Sequence, residues 1–155
     1  MSFRERKKTR TEIDTVLEEI RKDKHVQEMK KYIQHGQVST YEHCERVAAV
    51  SYQIDQKLHL NSDRKTLLKG AMLHDFYLYD WHERGDGSHR LHGFSHAERA
   101  EKNAEKYVGA DPKVQEVIRT HMWPLNLTRI PRTREAWIVC AADKYVSFCE
   151  TLVRR

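Results

Sequence analysis

The stretch KGAMLHDFYLYDWHE, residues 69–83, decides the fold because it places a histidine and an aspartate inside a buried helical pattern. Apolar residues at positions 67, 68, 71 and 72 recur at steps of three and four and define the buried face of an amphipathic helix. The same face continues to His74 and Asp75. A buried polar group without a partner costs about a few kcal/mol. The pattern therefore predicts that something in the core satisfies both side chains.

Polar side chains end the apolar stripes of three other predicted helices. His43 lies one turn before aliphatic residues at 47, 50, 54 and 58, and His121 ends a stripe at 114, 117 and 118. Asp143 lies on the same helical face as Ala136 and Cys140. Taken alone, each histidine could be a hydrogen-bonded core residue, and Asp143 could pair with a buried arginine. A divalent cation would satisfy all of these groups together, since imidazoles and carboxylates are its usual ligands.

Composition indicates one soluble domain. The chain has 155 residues, 39% of them hydrophobic and 33% charged, which is enough for a single sizeable core. The longest apolar run, residues 136–142, is far shorter than a membrane span. The first ten residues lack the apolar segment of a secretory signal. We therefore expect a cytoplasmic protein without a membrane partner.

The net charge of +5 is concentrated at the N-terminus. Residues 1–10 hold five basic side chains and one acidic side chain, which gives +4 and leaves +1 for the rest of the chain. We expect residues 1–10 to form a flexible basic tail, and we do not expect a nucleic-acid partner. Cys140 and Cys149 are nine residues apart on one predicted helix, or ~13 Å along its axis, which exceeds disulfide reach. Reduced thiols are expected.

The predicted fold class is all-α, a single compact domain over residues 11–155 with six or seven helices. The predicted helices lie near 11–22, 24–34, 40–58, 63–76, 96–108, 112–122 and 134–153, and no strand is predicted. The predicted helix starts are the capping boxes Ser39–Glu42 and Ser95–Glu98, the N-caps Ser62 and Thr133, and Asp111 before Pro112. The glycine-rich segment 83–95 is either a disordered loop or a mobile lid.

Four residues carry a family resemblance. His43, His74, Asp75 and Asp143, in that order and spread over about a hundred positions, resemble the metal-binding signature of the HD-domain phosphohydrolases. The local sequences HCERVA, LLKGAMLHD and AADKYVS resemble the helices that carry this signature in the family. The resemblance covers residues 38–155. It implies a helical HD domain with a metal site in the core of the bundle.

The resemblance also implies a ligand set. His43, His74, Asp75 and Asp143 would hold one divalent ion, and His96 and His121 would hold a second ion that Asp75 bridges. The cofactor would be one or two ions of Mn²⁺, Fe²⁺, Ni²⁺, Co²⁺, Zn²⁺ or Mg²⁺. Among the remaining histidines, His89 and His92 are further candidate ligands, His82 would support the ligands, and His25, His35 and His59 are assigned to the surface.

The expected activity is metal-dependent hydrolysis of a phosphate ester or anhydride, with a nucleotide or dinucleoside polyphosphate as substrate. Many relatives have a lysine three residues after the aspartate of the His-Asp pair, where this chain has Leu78. Arg46 and Lys144 are the nearest replacements for binding phosphate. His121 could protonate the leaving group if it is not a ligand. The predicted catalytic residues are therefore Asp75, His121, Lys144 and Arg46.

Several alternatives stay open. The aromatic residues near the ligands would either stack on a nucleobase or belong to the core, and they are Tyr77, Tyr79, Trp81 and Trp123. The chain could also be a non-catalytic module that binds metal or nucleotide, a di-iron enzyme that activates oxygen, or a nucleic-acid phosphodiesterase. The oligomeric state is open as well, with a homodimer among the options.

Overall fold

The computed structural model describes residues 3–79 and 92–152 of the chain. In these residues seven α-helices accompany one 3₁₀ turn and a two-stranded hairpin, which confirms the all-α class. The helices are α1 (Phe3–Lys22), α2 (Lys24–Glu28), α3 (Thr40–Leu58), α4 (Arg64–Leu73), α5 (His92–Val108), α6 (Pro112–Thr120) and α7 (Arg134–Leu152). No helix within these residues combines the length and the apolar character needed to cross a membrane.

The core lies between α3, α4, α6 and α7. Helix α3 packs against α4 and α7, and α4 packs against α6, while α5 covers the outer side of α6. Aliphatic residues on these helices are fully buried, among them Val47, Leu67, Val117 and Val139. At Val47, Leu67 and Val117 the helical periodicity predicted this burial, whereas Leu58, the last residue of the predicted stripe on α3, is 64% exposed.

Helix α1 begins at Phe3, eight residues before the predicted start. Charged pairs one turn apart support the extra turns. Lys8 Nζ lies 4.0 Å from Glu12 Oε1, and Arg10 Nε lies 3.8 Å from Asp14 Oδ2. Such pairs each stabilise a helix by about 0.2–0.5 kcal/mol. Residues 3–10, which were predicted to form a flexible tail, are therefore helical and belong to α1.

The prediction of one helix over 24–34 and of no strand is wrong. Helix α2 ends at Glu28, and the 3₁₀ turn Met29–Lys31 leads into strand β1 (Ile33–His35), which pairs antiparallel with β2 (Val38–Ser39). Gly36 in the turn has a φ of +59°, a conformation that glycine adopts without steric cost. Strands of three and two residues are too short to show a period in the sequence.

Three of the predicted helix starts are confirmed. Ser39 and Glu42 form a reciprocal capping box at the start of α3. Asp111 caps α6 by accepting hydrogen bonds from the first backbone N–H groups. Thr133 Oγ1 accepts a hydrogen bond of 3.2 Å from the backbone N–H of Ala136 at the start of α7.

Two predicted starts are wrong. Asp63, not Ser62, caps α4, because the Asp63 carboxylate accepts from the backbone of Lys65 while the Ser62 N–H donates to Asp55. Helix α5 begins at His92, so Ser95 lies inside it. The rest of the predicted 83–95 loop, up to residue 91, lies outside the described residues.

Helices α4 and α6 end earlier than predicted, and both end just before a histidine. His74 follows the last residue of α4, and His121 follows the last residue of α6. Each histidine therefore occupies the C-cap position of its helix, and its side chain is fully buried.

Replacing Gly70 by alanine is expected to destabilise the fold by about 1–3 kcal/mol through overpacking. A Cβ atom at this position would lie 2.6 Å from Val117 Cγ1 and 2.8 Å from Val117 Cβ, across the contact between α4 and α6. The gain in helix propensity, about 0.5–1 kcal/mol, offsets only part of this cost. Urea denaturation would measure the change in the free energy of unfolding.

Lys69→Ala, at the neighbouring position of α4, is the matched control. In the double variant Gly70→Ala, Val117→Ala, relief of the methyl contact should make the loss smaller than the sum of the two single losses. Stability equal to or above that of the wild type in Gly70→Ala would contradict the close packing.

Candidate metal centre

The structure brings the six predicted metal ligands together in the core. His43 lies on α3, His74 and Asp75 directly follow α4, and the others come from α5, the end of α6, and α7. All six are buried, namely His43, His74, Asp75, His96, His121 and Asp143. Their roles as ligands stay a prediction, whereas their convergence is a property of the fold.

One half of the cluster contains the four residues of the family signature. His43 Nε2 lies 3.1 Å from Asp143 Oδ1, and His74 Nε2 lies 3.6 Å from the same oxygen. Asp75 Oδ2 lies 3.4 Å from His74 Nε2 and 3.9 Å from His43 Nε2. Donor atoms of His43, His74 and Asp143 are mutually close enough to hold one ion.

The other half of the cluster surrounds the second oxygen of Asp75. Asp75 Oδ1 lies 3.2 Å from His96 Nε2 and 3.5 Å from His121 Nε2. The two imidazole nitrogens are 3.0 Å apart. Asp75 thus directs one oxygen toward each half, which is the arrangement expected of a carboxylate that bridges two ions.

Hydrogen bonds to the helix ends orient two of the imidazoles. His74 Nδ1 lies 2.7 Å from the carbonyl oxygen of Ala71, and His121 Nδ1 lies 2.7 Å from that of Ile118. The last carbonyl groups of a helix have no intrahelical partner, so they accept from a ring N–H at the C-cap. The Nδ1–H tautomer leaves the Nε2 lone pair free to face the cluster, as metal-binding histidines require.

Two atoms of the cluster are buried without a hydrogen-bond partner among the described residues. They are His74 Nε2 and Asp75 Oδ1. Most buried polar atoms in proteins are satisfied, and each exception costs about 1–3 kcal/mol. Nitrogen and oxygen donors without sulfur suit Mn²⁺, Fe²⁺, Co²⁺, Ni²⁺ or Zn²⁺. The donor set therefore fits one or two divalent ions.

The electrostatics of the cluster also fit a cation. Burial opposes the charge on His74, but the neighbouring carboxylates of Asp75 and Asp143 outweigh it and raise the pKa of His74 well above its usual value. Burial likewise opposes ionisation of Asp75 and Asp143, but the surrounding imidazoles hold the pKa of both carboxyl groups well below the ordinary value. Burial lowers the pKa of His121. The carboxylates thus favour positive charge in the cluster, and a bound cation would supply it.

Gln34 is a site residue that the sequence did not indicate. Its Nε2 donates a hydrogen bond of 2.6 Å to Asp75 Oδ2, and its Oε1 accepts one of 2.5 Å from the Tyr77 hydroxyl. The side chain is buried because Gln34 is the inward-facing residue of β1. A three-residue strand gives no readable alternation, so this contact could not be predicted.

Glu150 is the second missed residue, and a signal for it existed. Its Oε2 lies 2.9 Å from His43 Nδ1, and its Oε1 accepts a 2.9 Å hydrogen bond from Arg46 Nη1. Burial opposes ionisation of Glu150, but His43 and Arg46 outweigh it and lower its pKa. Glu150 follows Asp143 by seven residues, so the heptad spacing places both carboxylates on one face of α7.

The assignment of His25 and His35 to the surface is wrong. His35 is half-buried, and its ring meets that of His43 edge-on at 5.7 Å between centroids. His25 is half-buried and stacks on Tyr107 with centroids 3.9 Å apart. His59 is exposed, as predicted. His82 and His89 lie outside the described residues, as does the side chain of His92.

A cavity of about 550 Å³ opens beside the cluster. Asp75, His96, His121 and Asp143 reach this cavity, and so does Lys144. Polar residues from β1 and α7 form another part of the wall, and the segment after α6 contributes an apolar part, Met122, Pro124 and Leu125. The cluster is therefore accessible to a small molecule from one side.

The two predicted phosphate-binding residues lie in different places. Lys144 lines the cavity, and its Nζ donates a hydrogen bond of 2.9 Å to the carbonyl oxygen of His121. Arg46 is not part of the described cavity wall, and it points toward Glu150. His121 directs Nε2 at Asp75, an orientation that suits a ligand, while its role as a proton donor stays a prediction.

Of the described aromatic residues, Tyr77 belongs to the core, whereas Tyr79 and Trp123 are half-buried. Tyr77 is fully buried in the hydrogen-bond network of Gln34, and Trp123 packs edge-on against Trp137 at 4.9 Å. Tyr79 is half-buried beneath the guanidinium group of Arg99. None of these three lines the part of the cavity that the described residues form. Trp81 lies outside those residues.

The helices bring four imidazoles and two carboxylates into one buried cluster, which places the chain among helical proteins with a candidate histidine–aspartate metal centre. The family model for the HD domain matches residues 40–147, well over half of the chain. The chain belongs to the HD-domain family, whose members are generally hydrolases. No curated protein matches the chain significantly.

The matched residues include all six members of the cluster, which confirms the resemblance noted in the sequence. They leave out β1 with Gln34 and His35, and they also end before Glu150. The surroundings of the cluster therefore contain side chains that the family match does not cover.

Proposed function

We propose that this protein is a metal-dependent phosphohydrolase that cleaves a phosphate ester or anhydride. The observation that carries this proposal is the position of Asp75, which directs each carboxylate oxygen toward two histidine Nε2 atoms at distances of 3.2–3.9 Å. Two-ion sites with a bridging carboxylate serve the attacking and the leaving oxygen of a phosphoryl displacement.

In this proposal the residues of the cluster would hold the ions, and the ions would activate water and bind the phosphate. A bound divalent ion would supply the nucleophile by acidifying water and would neutralise charge on the phosphate oxygens. His43, His74 and Asp143 would hold one ion, His96 and His121 the other, and Asp75 both. No serine or cysteine nucleophile is needed.

A nucleotide or dinucleoside polyphosphate is the proposed substrate class. The family resemblance implies this class, and a cavity of about 550 Å³ lies in the range of ordinary ligand sites. Its wall joins the polar cluster to the apolar residues Met122, Pro124 and Leu125. A molecule with a phosphate group at one end and an apolar or planar part at the other would match this division.

Phosphate release from a panel of nucleotides and dinucleoside polyphosphates tests the proposal. The protein would be freed of metal with a chelator and then supplied with Mn²⁺, Fe²⁺, Co²⁺, Ni²⁺ or Mg²⁺. We expect turnover that requires the added ion. Metal binding without turnover on any substrate would favour a non-catalytic module, and iron-dependent oxygen consumption would favour the oxygen-activating enzyme. Salt-sensitive cleavage of an oligonucleotide would favour the nucleic-acid phosphodiesterase.

Lys144→Gln is expected to lower kcat/KM by about 10–100-fold, mainly through KM. The ammonium group lines the cavity near the cluster, and charge-assisted hydrogen bonds contribute about 1.5–3 kcal/mol. Steady-state kinetics on the best substrate of the panel measures the effect. Lys102→Gln is the matched control, because Lys102 is exposed and pairs with Glu98. Unchanged kinetics in Lys144→Gln would remove this residue from the substrate site.

A further inference from the structure

One helix contacts both nitrogens of the His43 ring. Asp143 Oδ1 lies 3.1 Å from Nε2, and Glu150 Oε2 lies 2.9 Å from Nδ1. The two carboxylates are separated by two helical turns on one face of α7, so a rigid element holds the imidazole at its two ends. The Nε2 atom and Asp143 belong to the ligand cluster, whereas Glu150 contacts the opposite nitrogen of the ring, Nδ1.

Arg46 completes this arrangement from α3. It follows His43 by three residues, and its Nη1 donates a hydrogen bond of 2.9 Å to Glu150 Oε1. The Glu150 side chain is 3% exposed, so each carboxylate oxygen depends on a protein partner. Arg46 supplies that partner for one oxygen and His43 for the other.

We infer that Glu150 is a positioning residue for His43 and that Arg46 holds Glu150 in place. A carboxylate that accepts from Nδ1–H fixes the tautomer and the ring plane, and it makes Nε2 a stronger ligand. Arg46 thereby acts on the affinity for metal and does not contact phosphate. The inference rests on the proposed function only in requiring that the cluster binds a divalent ion.

Metal affinity in the absence of substrate tests this inference. The dissociation constant for Co²⁺ would be measured by chelator competition, and the visible absorption spectrum of the Co²⁺ protein would report the geometry of the ligands. We expect Glu150→Gln to weaken binding about 10–100-fold and to alter the spectrum. Arg46→Gln should weaken binding in the same direction by a smaller factor.

Glu45→Gln is the matched control. Glu45 lies on α3 and also pairs with an arginine, since each of its oxygens accepts a hydrogen bond of 2.6 Å from Arg21. Unlike Glu150, it has no predicted metal ligand as a hydrogen-bond partner in these bonds. Its variant should keep the wild-type affinity and spectrum. Chemical denaturation of each metal-free variant checks that the fold is retained.

Four outcomes are distinguishable. A folded Glu150→Gln variant with wild-type affinity and spectrum would overturn the inference and leave Glu150 with a structural role. If Arg46→Gln keeps the wild-type affinity for Co²⁺ but has a raised KM for substrate, Arg46 binds phosphate and does not act through Glu150. A wild-type protein that binds Co²⁺ without turnover, while Glu150→Gln binds it more weakly, would refute the proposed function and support this inference. A wild-type protein that binds no Co²⁺ would overturn both.

Discussion

We expect Asp75→Asn to lower the kcat of the proposed metal-dependent phosphate release by more than about 100-fold. Loss of an outer partner of a metal ligand already costs about 10–100-fold. Asp75 stands between both halves of the cluster, with one oxygen toward His74 Nε2 and the other toward His96 Nε2. Asparagine has nearly the same volume, but its amide nitrogen is a donor and cannot bind a cation. Single-turnover and steady-state phosphate assays at saturating metal would measure the loss.

Asp111→Asn is the matched control for this change. Asp111 caps α6 away from the cluster, and asparagine caps a helix about as well as aspartate. Its variant should keep both stability and turnover. Near-normal metal-dependent turnover in a folded Asp75→Asn protein would contradict the assignment of the bridging carboxylate.

Saturation with a suitable divalent ion is expected to raise the melting temperature of the wild-type protein by roughly 5–16 °C. Ligand at ~100–1,000 times its dissociation constant stabilises the native state by about 2.7–4.1 kcal/mol. For a chain of this size, each kcal/mol shifts the melting temperature by about 2–4 °C. The physical reason is that the ion would satisfy His74 Nε2 and Asp75 Oδ1, which lack hydrogen-bond partners within the described residues. Differential scanning fluorimetry with and without a chelator measures the shift.

The variant His74→Ala should lose most of this shift. Comparing each protein with and without metal removes the cost of the cavity that the substitution creates. His59→Ala replaces an exposed histidine and should keep the full wild-type shift. Equal metal-induced shifts in the wild type and in His74→Ala would contradict ion binding at this cluster.

The ligand cluster could be predicted because helical periodicity is a local property. The stripes before His74 and His121 and the stripe after His43 predict that these histidines are buried, whereas their grouping with His96 was implied by the family resemblance. The positions at which the helices end were harder to predict from the sequence. The sequence continues its apolar pattern past Leu73, so it gives no sign that His74 leaves the helix and turns Nδ1 back to a carbonyl group.

The residues behind the ligands depend on long-range contacts. Gln34 meets Asp75 across 41 positions, from a hairpin too short to recognise. Glu150 meets His43 across 107 positions, and its heptad spacing from Asp143 was readable although its partner was not. The sequence places Arg46 one turn after His43, but only the position of α7 in the structure shows that Arg46 pairs with Glu150.

Metal analysis of the purified protein is the most direct test of ion binding around Asp75. The wild-type chain and Asp75→Asn would be equilibrated with Mn²⁺ or Co²⁺, separated from free metal by gel filtration, and measured by inductively coupled plasma mass spectrometry. One or two equivalents per wild-type chain, with a marked loss in the variant, is the predicted result. A folded wild-type protein that retains no more metal than Asp75→Asn with any of the candidate ions would contradict it.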